Sequence, residues 1–126
     1  MNIWSGSNDW LCAALTNPTH ISLRKGKIKH DYPLADKNGK TWRNAEIVYK
    51  HLKTGDLDKD IAVMTRIIRA KLAQYPELKK GIAERGGVAW LKQCSHHTGA
   101  RFSRWEGDGE DSAFIRALIA AYQPEE

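Results

Sequence analysis

Between Asp58 and Tyr75 the chain carries the pattern that most limits what it can fold into: Ile61, Met64, Ile67, Ile68, Leu72 and Tyr75 recur at the period of an α-helix. Asp58 or Asp60 can start that helix, and Pro76 halts it, because proline lacks the N–H that a continuing helix needs. A helix with one apolar stripe must bury the stripe against another element, so this segment is expected to be the central helix of a core. Pro76 suits the first turn of the next helix, Pro76–Arg85, which Gly86-Gly87 closes where helices commonly end on glycine. Val88–Gln93 reads as a further short helix. Ser112 caps a last one, in which Phe114, Ile115, Leu118, Ile119 and Tyr122 pack inward, and Gln123–Glu126 reads as a polar tail. The expected core includes Ile61, Met64, Ile68, Leu72, Leu91, Ile115 and Leu118.

The first third reads differently. Met1–Trp4 is short and apolar enough for a strand, and Ser5-Gly6-Ser7 for a turn. Asn8 or Asp9 can cap a short helix through Trp10–Leu15. Thr16-Asn17-Pro18-Thr19 must then leave the helix, since the residue before proline disfavours αR. Ile21–Leu23 and Lys27–His30 read as strand fragments around Lys25-Gly26. Tyr32–Ala35 and Lys40–Trp42 flank Asp36-Lys37-Asn38-Gly39, where Asn-Gly is a strong hairpin signal. The fold class expected is therefore α+β: a mainly helical single domain over residues 1–126 with a small irregular β region at the N-terminal end. At 126 residues, 41% hydrophobic and 28% charged, such a chain can bury a core without staples.

Several function classes are disfavoured. Cys12 and Cys94 lie far apart, the opening MNIWSGSNDW has no basic stretch followed by an apolar run, and no segment approaches membrane-spanning length. A cytoplasmic setting with reduced thiols and no membrane partner is expected. The net charge of +5 permits a polyanion or nucleotide as partner, although Lys and Arg are scattered among acids. The phosphate loop, the dinucleotide-binding glycine motif and the His-Glu-x-x-His zinc helix are absent, so no cofactor is expected. Cys94, His96 and His97 cluster, but a zinc site draws spaced pairs from two segments, and the distant candidates are Cys12, His20, His30 and His51; no metal is expected. Cys94 with His96 or His97 as base lacks the third, orienting group of a nucleophilic triad.

Two stretches hold the candidate chemistry. In Thr41–Lys53, Asn44 can cap a helix whose Ala45, Val48 and Leu52 face the core, while Glu46, Lys50 and Lys53 share the neighbouring stripe with Tyr49 beside them. An exposed Glu46–Lys50 ion pair explains that spacing too. The second stretch is Cys94–Asp111, read as a long loop holding Ser95-His96-His97-Thr98-Gly99 and Trp105-Glu106-Gly107-Asp108-Gly109. An aromatic beside two carboxylates and two glycines can press its ring on a base or sugar while the backbone approaches closely. A surface turn around a buried tryptophan is the plainer alternative.

Taken in order, these segments resemble the NADAR (YbiA-like) family. Leu15-Thr16-Asn17-Pro18 is similar to its Leu-Ser-Asn-Phe stretch, and Gly39-Lys40-Thr41-Trp42-Arg43-Asn44-Ala45-Glu46 to its turn leading to a helix with a Glu. Tyr49 and Lys53 fall where the family has an aromatic residue and a Lys. Arg69 through Leu78 resembles its Lys-Phe-x-Gln-Asn-x-x-Leu, Trp90-Leu91 its helix after a glycine, and Trp105-Glu106-Gly107-Asp108-Gly109 its Trp-Gly-x-Gly. The resemblance implies hydrolysis of an N-glycosidic bond in an ADP-ribosyl or related ribosyl-nucleobase compound, ADP-ribosylated guanine or nucleic acid being examples. Glu46 would stabilise an oxocarbenium-like transition state. Lys53 would hold a ribose hydroxyl or phosphate, or supply an amine to an opened ribose. Asn17 would bond a sugar or base edge, Trp42 and Trp105 would stack on the base, and Tyr49, Glu106 and Asp108 would complete the substrate site. The alternative is a non-catalytic binding module for a nucleotide, a nucleic acid or a protein partner.

Overall fold

The computed structural model describes residues 1–100 and 103–124. Among them the helices are α1 (Trp10–Leu15), α2 (Thr19–Arg24), α3 (Ala45–Leu52), α4 (Leu57–Gln74), α5 (Pro76–Arg85), α6 (Val88–Gln93) and α7 (Ala113–Tyr122). The strands, each of two residues, are β1 (Leu34–Ala35), β2 (Thr41–Trp42), β3 (Ser95–His96) and β4 (Gly107–Asp108).

Helix α4 is the central element, and it begins earlier than Asp58. Its cap is Asp56, whose side chain accepts from the Lys59 N–H at 3.0 Å. Asp60 is engaged elsewhere: its carboxylate accepts from the N–H and hydroxyl of Thr54 and from the Gly55 N–H, tying down the loop before the helix. The inward face of α4 packs on α7 and, beside it, on α3. Met64, Ile68, Leu72, Leu91, Ile115 and Leu118 are all buried, and Ile61 is half-buried at the core edge. Burial of such a side chain contributes roughly 1.5–3 kcal/mol. A smaller cluster of Leu34, Ala45, Val63 and Ile67 fills the space between β1, α3 and α4. The molecule is one mainly helical domain with small β regions.

Capping chemistry sets most helix ends. Asp9 accepts from the Cys12 N–H to start α1, and Ser112 accepts from the Ile115 N–H to start α7. Pro76 opens α5 and Gly86, at φ +124°, closes it. The tail begins as expected with exposed Gln123 and Pro124, while Glu125 and Glu126 lie outside the described residues.

Three expectations need correction. The segment read as strand Ile21–Leu23 belongs to helix α2, and Lys27–His30 pairs with no strand. The backbone bonds locally instead, with Lys25 N–H reaching Ile21 O, while the Ser22 hydroxyl donates to Ala13 O. Met1–Trp4 forms one parallel bridge, Asn2 to Ser95, rather than a strand. Within Cys94–Asp111, expected to be one long loop and of which residues 101 and 102 lie outside the described residues, β3 and β4 pair antiparallel, Ser95 opposite Asp108 and His96 opposite Gly107, followed by a 3-10 turn over Gly109–Asp111. Ile3 N–H to Ser95 O (2.8 Å) and Ser95 N–H to Met1 O (2.9 Å) add the chain's beginning as a third extended segment. The hairpin over Asp36–Lys40 lies where Asn-Gly predicts it, with Leu34 opposite Trp42.

Candidate active site

A cavity of about 530 Å³ opens where α2, α3, the end of β3 and the Trp105 turn converge. The turn between α1 and α2 gives it Thr16, Asn17 and Pro18. From α3 come Glu46, Tyr49 and Lys50, and Met64 of α4 lies beneath. The opposite wall holds His96, Thr98, Trp105 and Phe114, with Trp4, Ser5 and Lys25 along one side.

Glu46 is fixed through the cap of its helix. Asn44, fully buried, accepts from the Ile47 N–H through Oδ1 (3.3 Å) and donates through Nδ2 to His20 Nδ1 (3.0 Å), with Asp31 Oδ2 at 3.4 Å. Asp31 also accepts from the Thr19 hydroxyl and from the Tyr32 N–H, and its Oδ2 lies 3.6 Å from Arg43 Nε. Burial, followed by the Arg43 charge, pulls the His20 pKa down, which suits a neutral ring accepting from Asn44. These bonds lock α2 to the start of α3. Glu46, in the first turn, therefore lies where helix N–H groups favour an anion.

Asn17 is buried, and its Nδ2 donates to the Met64 sulfur at 3.0 Å, a weak acceptor. Asn17 Oδ1 and Thr16 Oγ1 are buried without a hydrogen-bond partner from the described residues. Such atoms are uncommon enough to mark a place where a ligand can bond. Lys71 holds this turn from below, its Nζ donating to Ala14 O (2.5 Å) and Thr16 O (2.9 Å). Sequence reading missed Lys71 as a site-building residue. The signal was present, because position 71 follows Ile67 by four and lies on the inward face of α4, where lysine is out of place.

Trp105 packs edge-on against Tyr49, ring centroids 5.5 Å apart at 77°. The Trp105 carbonyl accepts from the Ser112 hydroxyl at the cap of α7, so the indole is anchored to the core. Glu46, Tyr49, Asn17 and Trp105, four residues singled out from sequence, thus line one cavity.

The other four do not line it. Lys53 is exposed and extended, just past the end of α3 at Leu52, so the seven-residue return that would place it beside Glu46 is never completed. Its charge instead helps keep Asp60 ionised. Leu52, expected in the core, is 48% exposed for the same reason. Trp42 donates its indole N–H to Asp36 Oδ2 (3.1 Å) and lies between Lys40 and His51. Glu106 stands behind the wall, accepting from the N–H and hydroxyl of Thr98. Asp108 is exposed, 2.9 Å from His97 Nε2. Cys94 does not line the cavity, and burial raises its thiol pKa, which keeps it a protonated, poor nucleophile.

His96 was weighed from sequence for metal binding or as a base for Cys94. In the fold it lines the cavity, with its ring stacked on Phe114 at 4.3 Å. No group of three or more His, Cys, Asp or Glu side chains among the described residues is arranged to hold a metal ion. No helix among them is long and apolar enough to cross a membrane. Comparison of the chain with protein-family models, curated proteins and solved structures gives no significant match. The cavity therefore offers a carboxylate, the two imidazoles of His20 and His96, two flanking ammonium groups, an aromatic wall and unpartnered polar atoms, all within one ligand-sized space.

Proposed function

We propose that the cavity is an N-glycosidase site for an ADP-ribosyl or related ribosyl-nucleobase compound, in a divergent relative of the NADAR family. The observation that carries this reading is the meeting of Glu46, Asn17 and Trp105, from three separate segments, on one cavity. Cleavage of a C–N bond at an anomeric carbon builds positive charge on the ribose, and a fixed carboxylate beside it lowers the energy of that state. Glu46 takes this role and orients the attacking water. Trp105 stacks on the base. Thr16 Oγ1 and Asn17 Oδ1 take hydrogen bonds from ribose hydroxyls, and Lys25 and Lys50 meet the phosphates as compact point charges. A cytoplasmic setting fits the two buried free thiols, Cys12 and Cys94.

Glu46→Gln tests this. Gln keeps the size and removes the charge, so ADP-ribose release should fall by about two to three powers of ten while ADP-ribose affinity and melting temperature stay nearly unchanged. Equal turnover in the two proteins would remove Glu46 from the chemistry. Binding without turnover in either would leave a nucleotide-binding module.

A further inference from the structure

His96 Nδ1 lies 2.7 Å from the carbonyl oxygen of Ile3. A carbonyl can only accept, so Nδ1 carries a hydrogen in either charge state of the ring. In the neutral ring Nε2 is then a bare acceptor. Opposite it, at 3.5 Å, stands Glu106 Oε2, and the two side chains are 10% and 11% exposed. Two acceptors facing each other away from water repel unless a proton is added between them. Glu106 is held from turning away because its Oε1 accepts from the Thr98 N–H (2.5 Å) and hydroxyl (2.9 Å). His96 is held in turn by Ile3 and by the stacked Phe114 ring.

We propose that His96 and Glu106 hold one proton in common and that His96 is the general acid of the cavity, passing that proton to the base as the N-glycosidic bond breaks. This rests on the glycosidase reading above. In the step, the C–N bond breaks and its electron pair goes to the base nitrogen. The proton on His96 Nε2 moves to the departing base. Water adds its oxygen to the anomeric carbon, and the proton it sheds restores the pair, so one water is consumed per bond cleaved. At 3.5 Å the contact is at the long limit of a hydrogen bond, so a ligand atom entering the cavity can compete with Glu106 for the Nε2 hydrogen. Glu106 acts through His96 and is a positioning residue.

The surroundings suit a proton held only loosely. Burial is the largest influence and holds the His96 pKa below its ordinary value; the Ile3 carbonyl and Glu106 favour the charged ring and only partly offset it, and the neighbouring His97 opposes it further. Across the cavity Lys25 and Lys50 oppose a further positive charge and Glu46 favours one. A general acid works best when its proton leaves near the operating pH.

Two measurements on the full-length protein test the proposal. In ¹⁵N spectra of the histidine rings, Nε2 of His96 should stay protonated to a midpoint that falls by about one pH unit or more in Glu106→Gln, whose amide can donate to the bare nitrogen. In ADP-ribose release, His96→Asn should lower kcat by about 100-fold or more and abolish the loss of activity at rising pH. Glu106→Gln should move that limb to lower pH by the shift seen in the spectra while leaving KM in place. Identical titration of His96 with and without Glu106 overturns the shared proton. Wild-type turnover that His96→Asn leaves intact overturns the general acid alone. Absent turnover in the wild type, with the spectral shift present, overturns the delivery step and the glycosidase reading while the shared proton stands.

Discussion

The amine of Lys71, 1% exposed, bonds the carbonyl oxygens of Ala14 and Thr16, with no carboxylate in hydrogen-bond range among the described residues. Burial pulls its pKa down to about 7 from 10.5, with Asp31 opposing. A neutral amine has two hydrogens, matched here by two carbonyls. The folded protein therefore binds this proton less tightly than the unfolded chain, and folding releases it at any pH between the two values. Stability from this group is lowest below about pH 7 and rises toward pH 10, by at most about 1.4 kcal/mol per pH unit.

Lys71→Met should abolish that rise, so the stability difference between wild type and variant grows in favour of the wild type as pH increases. Denaturant unfolding at a series of pH values measures it, and parallel curves would refute it. The same variant frees the Thr16 and Asn17 turn, and ADP-ribose affinity should drop about tenfold, the worth of one hydrogen bond.

Asp60 gives the opposite limb. The Thr54 N–H bond, with the Thr54 hydroxyl, the Gly55 N–H and the Lys53 charge, outweighs burial and lowers its pKa. A lowered carboxylate contributes stability that is present above its unfolded pKa, about 3.9, and is lost as pH falls through the lower folded value. Asp60→Asn should flatten the acid side of the melting-temperature profile below about pH 4 and leave the Lys71 limb untouched.

Two glycines separate stability from binding. Gly109 has φ +52°, and a Cβ there would lie 2.5 Å from the Lys92 carbonyl oxygen, which is backbone and cannot yield. Gly109→Ala should cost about 1–3 kcal/mol in unfolding free energy. At Gly6 a Cβ would lie 2.5 Å from the outer edge of the Trp4 ring, which can swing aside. Gly6→Ala should change nucleotide affinity through the displaced Trp4 more than it changes the melting temperature. Calorimetry and ligand titration of both variants check the contrast.

Apart from α2, the helices were legible because they carry their signals within a few residues: Asp9 and Ser112 at caps, Pro76 and Gly86 at ends, and an apolar period along α4. The β regions were less legible. The bridge from Asn2 to Ser95 depends on a partner 93 positions away, which no local pattern announces. Ile21 reads as strand by side chain, yet the backbone coils into α2 and the Ile21 carbonyl accepts from the Lys25 N–H. Glu46, Tyr49, Asn17 and Trp105, singled out by residue type and order, line one cavity. Lys53 was misplaced because helical spacing says nothing about where the helix stops. The partners of His96 and Lys71 are backbone carbonyls, of Ile3 for one and of Ala14 and Thr16 for the other, which leave no mark in a sequence, although a lysine on the inward face of α4 does show that position 71 is unusual.

The bond from Ser95 N–H to Met1 O, together with Asn2 bonding the His97 backbone, has a consequence for synthesis. Trp4 and Ser5 leave the ribosome well before the strand that fixes their side of the cavity, which is translated some 90 residues later. At roughly 5–20 residues per second that is a wait on the order of 5–20 seconds. During it α1 and α2 can form, yet the apolar Ile3 has no edge to join. Until His96, Thr98 and Trp105 are made, one wall of the cavity does not exist, so the site cannot be complete on the nascent chain.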